Sequence, residues 1–190
     1  MKLLKILDFA HTLLKEAINV NDIVIDATVG NGYDTAFLSH LVGSEGLVYG
    51  FDIQNEAILS AKKYLEEKNL TTNVVLFNKG HETIMNSIPM KHYGKISGAI
   101  FNLGYLPGGN KHIVTQANTT ILAIKQLLEI IKPEGIIVLV IYHGHPEGAI
   151  ERDAVINFVE SIDQKKAHVL KYQFINQRNN PPFIIAIEKR

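Results

Sequence analysis

The stretch Asp26-Ala27-Thr28-Val29-Gly30-Asn31-Gly32-Tyr33-Asp34 decides the fold. It follows the apolar run Ile23-Val24-Ile25 and precedes Thr35-Ala36-Phe37-Leu38-Ser39-His40-Leu41, so it predicts a strand, a glycine turn and a helix start. Gly30 and Gly32 allow positive φ and carry no Cβ, which lets backbone N–H groups approach a ligand at the positive end of the helix. Twenty residues beyond Gly32, Asp52 closes a second apolar run, Leu47-Val48-Tyr49-Gly50-Phe51. A carboxylate at that place can accept hydrogen bonds from both hydroxyls of a ribose. The alternative for Asp52 is an acid that caps the next helix at Asn55 or Glu56.

Gly30-Asn31-Gly32-Tyr33-Asp34-Thr35 approaches the dinucleotide fingerprint G-x-G-x-x-G but departs at its third position, where β-branched Thr35 stands. That position usually needs Gly or Ala for close helix packing and room for pyrophosphate. Asp26, Asp34 and Asp52 also make the surroundings poor for phosphate. A cationic, phosphate-free adenosine ligand suits them, and S-adenosylmethionine, with its sulfonium and ammonium groups, is such a ligand. The acids therefore favour methyl transfer over hydride transfer. Asp26, Gly30, Asn31, Gly32, Asp34, Asp52 and Gln54 are the candidate cofactor contacts of these two loops.

Working outward, buried-strand candidates recur at Ile23 to Ala27, Leu47 to Asp52, Val74 to Asn78, Ile96 to Asn102 and Ile136 to Tyr142. Helical stretches at Tyr33 to Val42, Asn55 to Lys68, Val114 to Ile131 and Ala149 to Ile162 alternate with them, and only the Glu82 to Ile88 crossover is thin. This is the βαβ alternation of a doubly wound parallel sheet. His168 to Asn176 and Phe183 to Lys189 have no room for a helix between them, so they must pair antiparallel. The expected fold is α/β and Rossmann-like: a seven-stranded, mostly parallel sheet of order 3-2-1-4-5-7-6 with an antiparallel C-terminal hairpin, as in class I methyltransferases.

At 190 residues, 46% apolar and 20% charged, the chain suits one well-buried domain over 1–190. It has no cysteine, which excludes disulfides, thiolate metal sites and cysteine nucleophiles and fits a reducing cytosol. Leu3, Ile6, Leu7, Ala10, Leu13, Leu14 and Ala17 recur at helical spacing, so the N-terminus reads as an amphipathic helix rather than a signal. No apolar run reaches the roughly 18 residues of a membrane span, and a cytoplasmic location is expected. Nineteen basic residues balance nineteen acidic ones, so a nucleic-acid partner needs a local patch. Lys165, Lys166, His168, Lys171 and Arg178, with Lys111 and His112, could supply it, or could be solvated faces.

Ligands of open α/β sheets sit outside the carboxyl ends of the strands. The third end carries Asn78-Lys79-Gly80-His81-Glu82, where His81 either contacts the cofactor or caps the next turn. The fourth carries Asn102-Leu103-Gly104-Tyr105 and the glycine loop Gly108-Gly109-Asn110-Lys111, which is free to close over the site. The fifth carries Tyr142-His143-Gly144-His145-Pro146, with Tyr142 and His143 facing a substrate and His143 able to accept a proton near neutral pH. His143 and His145, two residues apart without a carboxylate or thiol set, make a poor ligand pattern, so no metal is expected.

Asn102-Leu103-Gly104-Tyr105 resembles the Asn-Pro-Pro-Tyr motif of amino methyltransferases, in which the Asn side chain and the next carbonyl accept the amine's N–H bonds and the Tyr ring packs on the substrate. Together with Asp26 to Gly32, Gly80 to Glu82, Asn102 to Lys111 and Tyr142 to Gly148, the whole chain resembles a bacterial family once labelled ribosomal RNA methylases and understood as tRNA 5-aminomethyl-2-thiouridine methyltransferases. Asn110 departs from the Gly-Gly-Asp-Lys form of that pattern. The resemblance implies methylation of the aminomethyl nitrogen of a wobble uridine, with S-adenosylmethionine as cofactor, a tRNA anticodon arm as partner and a homodimer. It makes Asn102, Tyr105 and His143 the catalytic candidates and Tyr142, Lys111, Lys165, Lys166 and Arg178 the substrate contacts. On residues alone, a ribosomal RNA or small-molecule amine methyltransferase, or a nicotinamide or adenosine-cofactor binder, remain alternatives.

Overall fold

In the computed structural model, residues 2–106, 108 and 113–190 are described. Helix α1 (Ile6–Ala17) leads into β1 (Ile23–Asp26), α2 (Tyr33–Val42), β2 (Leu47–Phe51), α3 (Asn55–Glu67) and β3 (Val74–Phe77). The thin crossover is a 3-10 turn at His81–Thr83 running into the one-turn helix α4 (Ile84–Ser87). Then follow β4 (Ile96–Leu103), α5 (Ala117–Ile130), β5 (Ile131–Ile141), α6 (Pro146–Glu160), β6 (Ala167–Tyr172) and β7 (Phe183–Lys189). The sheet order is β3-β2-β1-β4-β5-β7-β6, parallel from β3 to β5 and antiparallel at β7 and β6.

Strand side chains alternate between faces, so each strand feeds two cores. Val24, Ile100, Val138, Val140 and Ile184 pack under Ile6, Ala10 and Leu14 of α1 and Leu38 and Val42 of α2. Ile25, Phe101, Leu139 and Ile185 face the other way, onto α5 and α6 through Ala123, Ile124, Leu127, Val155 and Val159. Burial on both faces explains why β4 and β5 read as continuous apolar runs.

Element edges differ from expectation where local chemistry intervenes. β5 starts at Ile131, five residues before the expected Ile136, because an irregularity is folded into it: the register with β4 jumps from Ile131 to Ile136, and Glu134 takes φ 62°. Pro133, which has no N–H for a ladder, sits inside that interruption. Val114 pairs with Tyr105 in an isolated bridge, so α5 begins only at Ala117. Pro146 opens α6, as a residue without an N–H can at a helix N-terminus.

The hairpin sets a direction that matters for the site. Phe183 pairs with Ile141, so β7 starts at the carboxyl ends of the parallel strands, whereas Ala167 pairs with Lys189 at the opposite edge. Lys165 and Lys166 therefore lie at the far edge of the sheet, beside Lys125, Glu129 and Arg190. This corrects their expected place in one patch with Lys171 and Arg178; the loop carrying Arg178 joins β6 to β7 at the site end.

Candidate active site

The carboxyl ends of β1, β2, β4 and β5 and the turn after β3 surround a cavity of about 900 Å³. One half of it is built on the glycine turn. Gly30 and Gly32 take φ 52° and 83°, and a Cβ on Gly32 would stand 3.0 Å from Cα of Ala61 in α3. Both the left-handed backbone and the helix contact require glycine there. Asp52 then clamps the two loops: its Oδ2 accepts the Gly30 N–H at 2.9 Å and its Oδ1 the Gln54 N–H at 2.9 Å. A carboxylate has about four acceptor sites, so these two bonds use roughly half of them. Asn31 and Gln54 line the same half.

His81 lines the cavity while almost wholly buried. Its Nδ1 lies 3.1 Å from the Ala27 carbonyl, which places the hydrogen on Nδ1. Burial pushes its pKa down, so the ring is neutral. Asp26 does not line the cavity and is fully buried, which corrects its place among the cofactor contacts. Its carboxyl accepts the Thr28 N–H at 3.2 Å and the Thr35 hydroxyl at 2.6 Å, holding the turn from beneath. Burial first, and the negative charge of Asp34 second, push its pKa up to about 7.

The other half gathers around Asn102. Its backbone N–H donates to the Thr28 hydroxyl at 2.6 Å, and its Nδ2 donates to Asp34 Oδ2 at 2.6 Å. With Nδ2 on Asp34, Oδ1 is the amide atom that this bond does not use. The Leu103 carbonyl accepts the Tyr142 N–H at 3.0 Å, so the sheet ladder already uses one of its lone pairs. Tyr142 and Tyr105 line the cavity, and the Tyr105 ring meets His145 edge-on at 5.7 Å. Burial, then the nearby Asp34 charge, raise the Tyr142 phenol.

His143 does not join them. Successive residues of an extended segment point to opposite sides, so with Tyr142 in the cavity His143 faces away. Its Nε2 lies 3.0 Å from the Pro181 carbonyl and its Nδ1 accepts from Arg152 at 3.2 Å. Burial, with the Arg152 charge adding to it, lowers its pKa. The ring braces the β6–β7 loop and is no proton acceptor for the cavity. Lys111, Gly109, Asn110 and His112 lie outside the described residues. Among the described residues no group of three or more His, Asp or Glu could hold a metal ion.

Several residues of the site escaped the sequence reading. His11 of α1 lines the cavity with its Nε2 2.6 Å from Asp34 Oδ1. Beneath the Asn102 loop, the Gly104 N–H donates to the Thr115 hydroxyl at 2.9 Å, and Thr115 and Thr120 donate to the two oxygens of Glu151 at 2.5 and 2.6 Å. Glu151 is buried, which raises its pKa. It ties the loop to α5 and α6.

A family model described as "Putative rRNA methylase" matches residues 48–188. The chain belongs to this family. A solved family structure, a putative rRNA methylase from Clostridium thermocellum, is 41% identical and superposes with a TM-score of 0.96 over 100% of both chains. A putative methyltransferase from Streptococcus mutans, solved in complex with SAH, is 41% identical, with a TM-score of 0.88 over 99% of both chains. Among curated proteins, an Arabidopsis thaliana protein named tRNA (mnm(5)s(2)U34)-methyltransferase, chloroplastic, is 37% identical over 98% of this chain and 70% of its own length. The chain is an S-adenosylmethionine-dependent methyltransferase with the class I fold. The Asp52 clamp, with spare acceptors beside Gly30 and Gly32, fits the adenosine of that cofactor.

Proposed function

We propose that this methyltransferase acts on the aminomethyl nitrogen of a modified wobble uridine in tRNA. The observation that carries the reading is the Asn102 amide in the cavity wall, whose Nδ2 is held by Asp34, which leaves Oδ1 as the acceptor for an amine N–H. The 37% identity to a plant tRNA (mnm(5)s(2)U34)-methyltransferase supports tRNA as the substrate class. The lack of cysteine argues against pyrimidine-carbon methylation, which commonly enlists a cysteine nucleophile.

The cofactor supplies a methyl group on a sulfonium. Asp52, Gly30, Asn31, Gln54 and His81 hold its adenosine end, Gly32, which does not line the cavity and gives its N–H to the Val29 carbonyl, only shapes the turn, and Asn102 receives the amine while Tyr105 and Tyr142 pack on the base. Holding the reactants in near-attack geometry is worth about 7 to 11 kcal/mol, so positioning is the main source of rate. Lys171 and Arg178, toward the site end of the hairpin, contact phosphates of the anticodon arm. A homodimer and a cytoplasmic location belong to the same reading; the exposed Val169, Leu170 and Ile175 near the free sheet edge support the first, and the second fits the finding that no described helix is long and apolar enough to cross a membrane.

The test is incubation of undermethylated tRNA with the protein and methyl-labelled cofactor, followed by nucleoside digestion. Label on the aminomethyl nitrogen is expected. Label in ribosomal RNA, on a free small-molecule amine or on a ring carbon overturns the reading.

A further inference from the structure

His11 belongs to no motif of the glycine-turn or Asn102 type, yet α1 brings it, with Leu7 one turn earlier, to the cavity wall. Its Nε2 is 2.6 Å from Asp34 Oδ1. Two lone pairs cannot face each other at that distance, so Nε2 carries the hydrogen and Nδ1 is the basic atom. The ring lies flat on Phe37, with centroids 3.9 Å apart and planes 7° from parallel, which fixes its plane. The other oxygen of Asp34 holds the Asn102 amide at 2.6 Å. One carboxylate therefore holds both the Asn102 amide and the His11 imidazole in the wall of the same cavity.

We infer that His11 is the proton acceptor for the incoming amine, an assignment that rests on the amine reading above. The substrate amine arrives as an ammonium, with a reference pKa of about 10.4 by analogy with lysine. At Asn102 one of its N–H bonds breaks, the proton goes to Nδ1 of His11, and the electron pair stays on the amine nitrogen as the nucleophile. One ammonium and one neutral imidazole become one neutral amine and one imidazolium, so charge in the cavity is conserved. Asp34 holds the ring in one orientation through Nε2–H, the part an acid plays behind a catalytic histidine. Imidazole is a weaker base than an alkylamine, so the exchange runs uphill and is a pre-equilibrium that irreversible methyl transfer draws forward. The charges that bear on His11 are Asp34 from α2, Lys15 on its own helix over the Phe37 ring, and Asp26 and Tyr142, which couple to Asp34.

The test compares wild type with His11→Gln and His11→Ala in single-turnover methylation of saturating undermethylated tRNA from about pH 6 to 9.5, a range that approaches the ammonium pKa. Calorimetry of S-adenosylhomocysteine binding and nitrogen NMR of the His11 ring accompany it. The variants should bind S-adenosylhomocysteine as wild type does and react about 100-fold more slowly at pH 7, a typical general-base contribution. The deficit should close as pH approaches the ammonium range, added imidazole should restore part of the His11→Ala rate, and NMR should find Nε2 protonated and Nδ1 free at high pH. Unchanged rates, a pH-independent loss without imidazole rescue, weakened S-adenosylhomocysteine binding, or the opposite tautomer would each overturn the assignment. If wild type itself puts no label on the amine nitrogen, the amine reading fails; if wild type labels it and His11→Gln does so equally fast, only the role of His11 fails.

Discussion

Replacing Asp26 by Asn should flatten a loss of stability that the folded chain otherwise suffers as pH rises. The Asp26 carboxyl is fully buried with a pKa of about 7, against an ordinary 3.8. Below about pH 4 both folded and unfolded chains hold this proton, and the group costs nothing. Between about 4 and 7 the unfolded chain has released the proton and the fold has kept it, so stability falls with pH; above 7 both forms are ionised and the penalty levels off. At about 1.36 kcal/mol per pH unit, that window is worth about 4 kcal/mol. The amide imitates the protonated acid: its Oδ1 still accepts the Thr28 N–H, and the Thr35 hydroxyl can rotate to accept from Nδ2. Urea unfolding of both proteins at intervals from about pH 4.5 to 8 should therefore give a stability difference that grows by several kcal/mol in favour of the Asp26→Asn variant and then becomes constant. A difference that stays level within about 1 kcal/mol across the series would show that Asp26 is not held protonated, and the account of the turn's underside would be wrong.

Asp52→Ala should weaken S-adenosylhomocysteine binding by about 1.5 to 3 kcal/mol through lost charge-assisted bonds, and calorimetry giving wild-type affinity would refute the ribose assignment. Asn102→Ala should keep most cofactor affinity yet lose methyl transfer; near-wild-type single-turnover rates on saturating tRNA would remove it from the acceptor site. Lys171→Ala combined with Arg178→Ala should lower tRNA affinity and shallow its salt dependence by about one to two in log–log slope. The pair Lys165→Ala and Lys166→Ala, at the far sheet edge, should leave both nearly unchanged, and filter binding that ranks the pairs the other way would reverse the docking face.

The βαβ rhythm was legible because its signals are local. Ile23-Val24-Ile25 before a glycine turn, and Asp52 after Phe51, are read within a few residues, and both fell where expected. The cavity lining is legible where a strand end dictates it, as at Asn102 and Tyr142. What failed needed the third dimension. Asp26 looks like its neighbours Asp34 and Asp52, and in a strand buried on both faces no polar alternation reveals which way an end residue points. His143 was misplaced by one step of the pleat, and Lys165 and Lys166 by the reversal of the hairpin. His11 lies 23 residues from Asp34. Its only trace in the sequence is a polar residue four positions after Leu7, beside the helix's apolar stripe.

The Asp52 clamp also bears on kinetics. Because its two oxygens bind the Gly30 and Gln54 N–H groups, the chain's own bonds join the two loops that frame the cofactor. The conformational entropy of two loops has been surrendered at folding rather than at binding. Cofactor association should then proceed in one phase, first order in cofactor with no plateau, and exchange of product for fresh cofactor should be governed by how quickly S-adenosylhomocysteine escapes the socket.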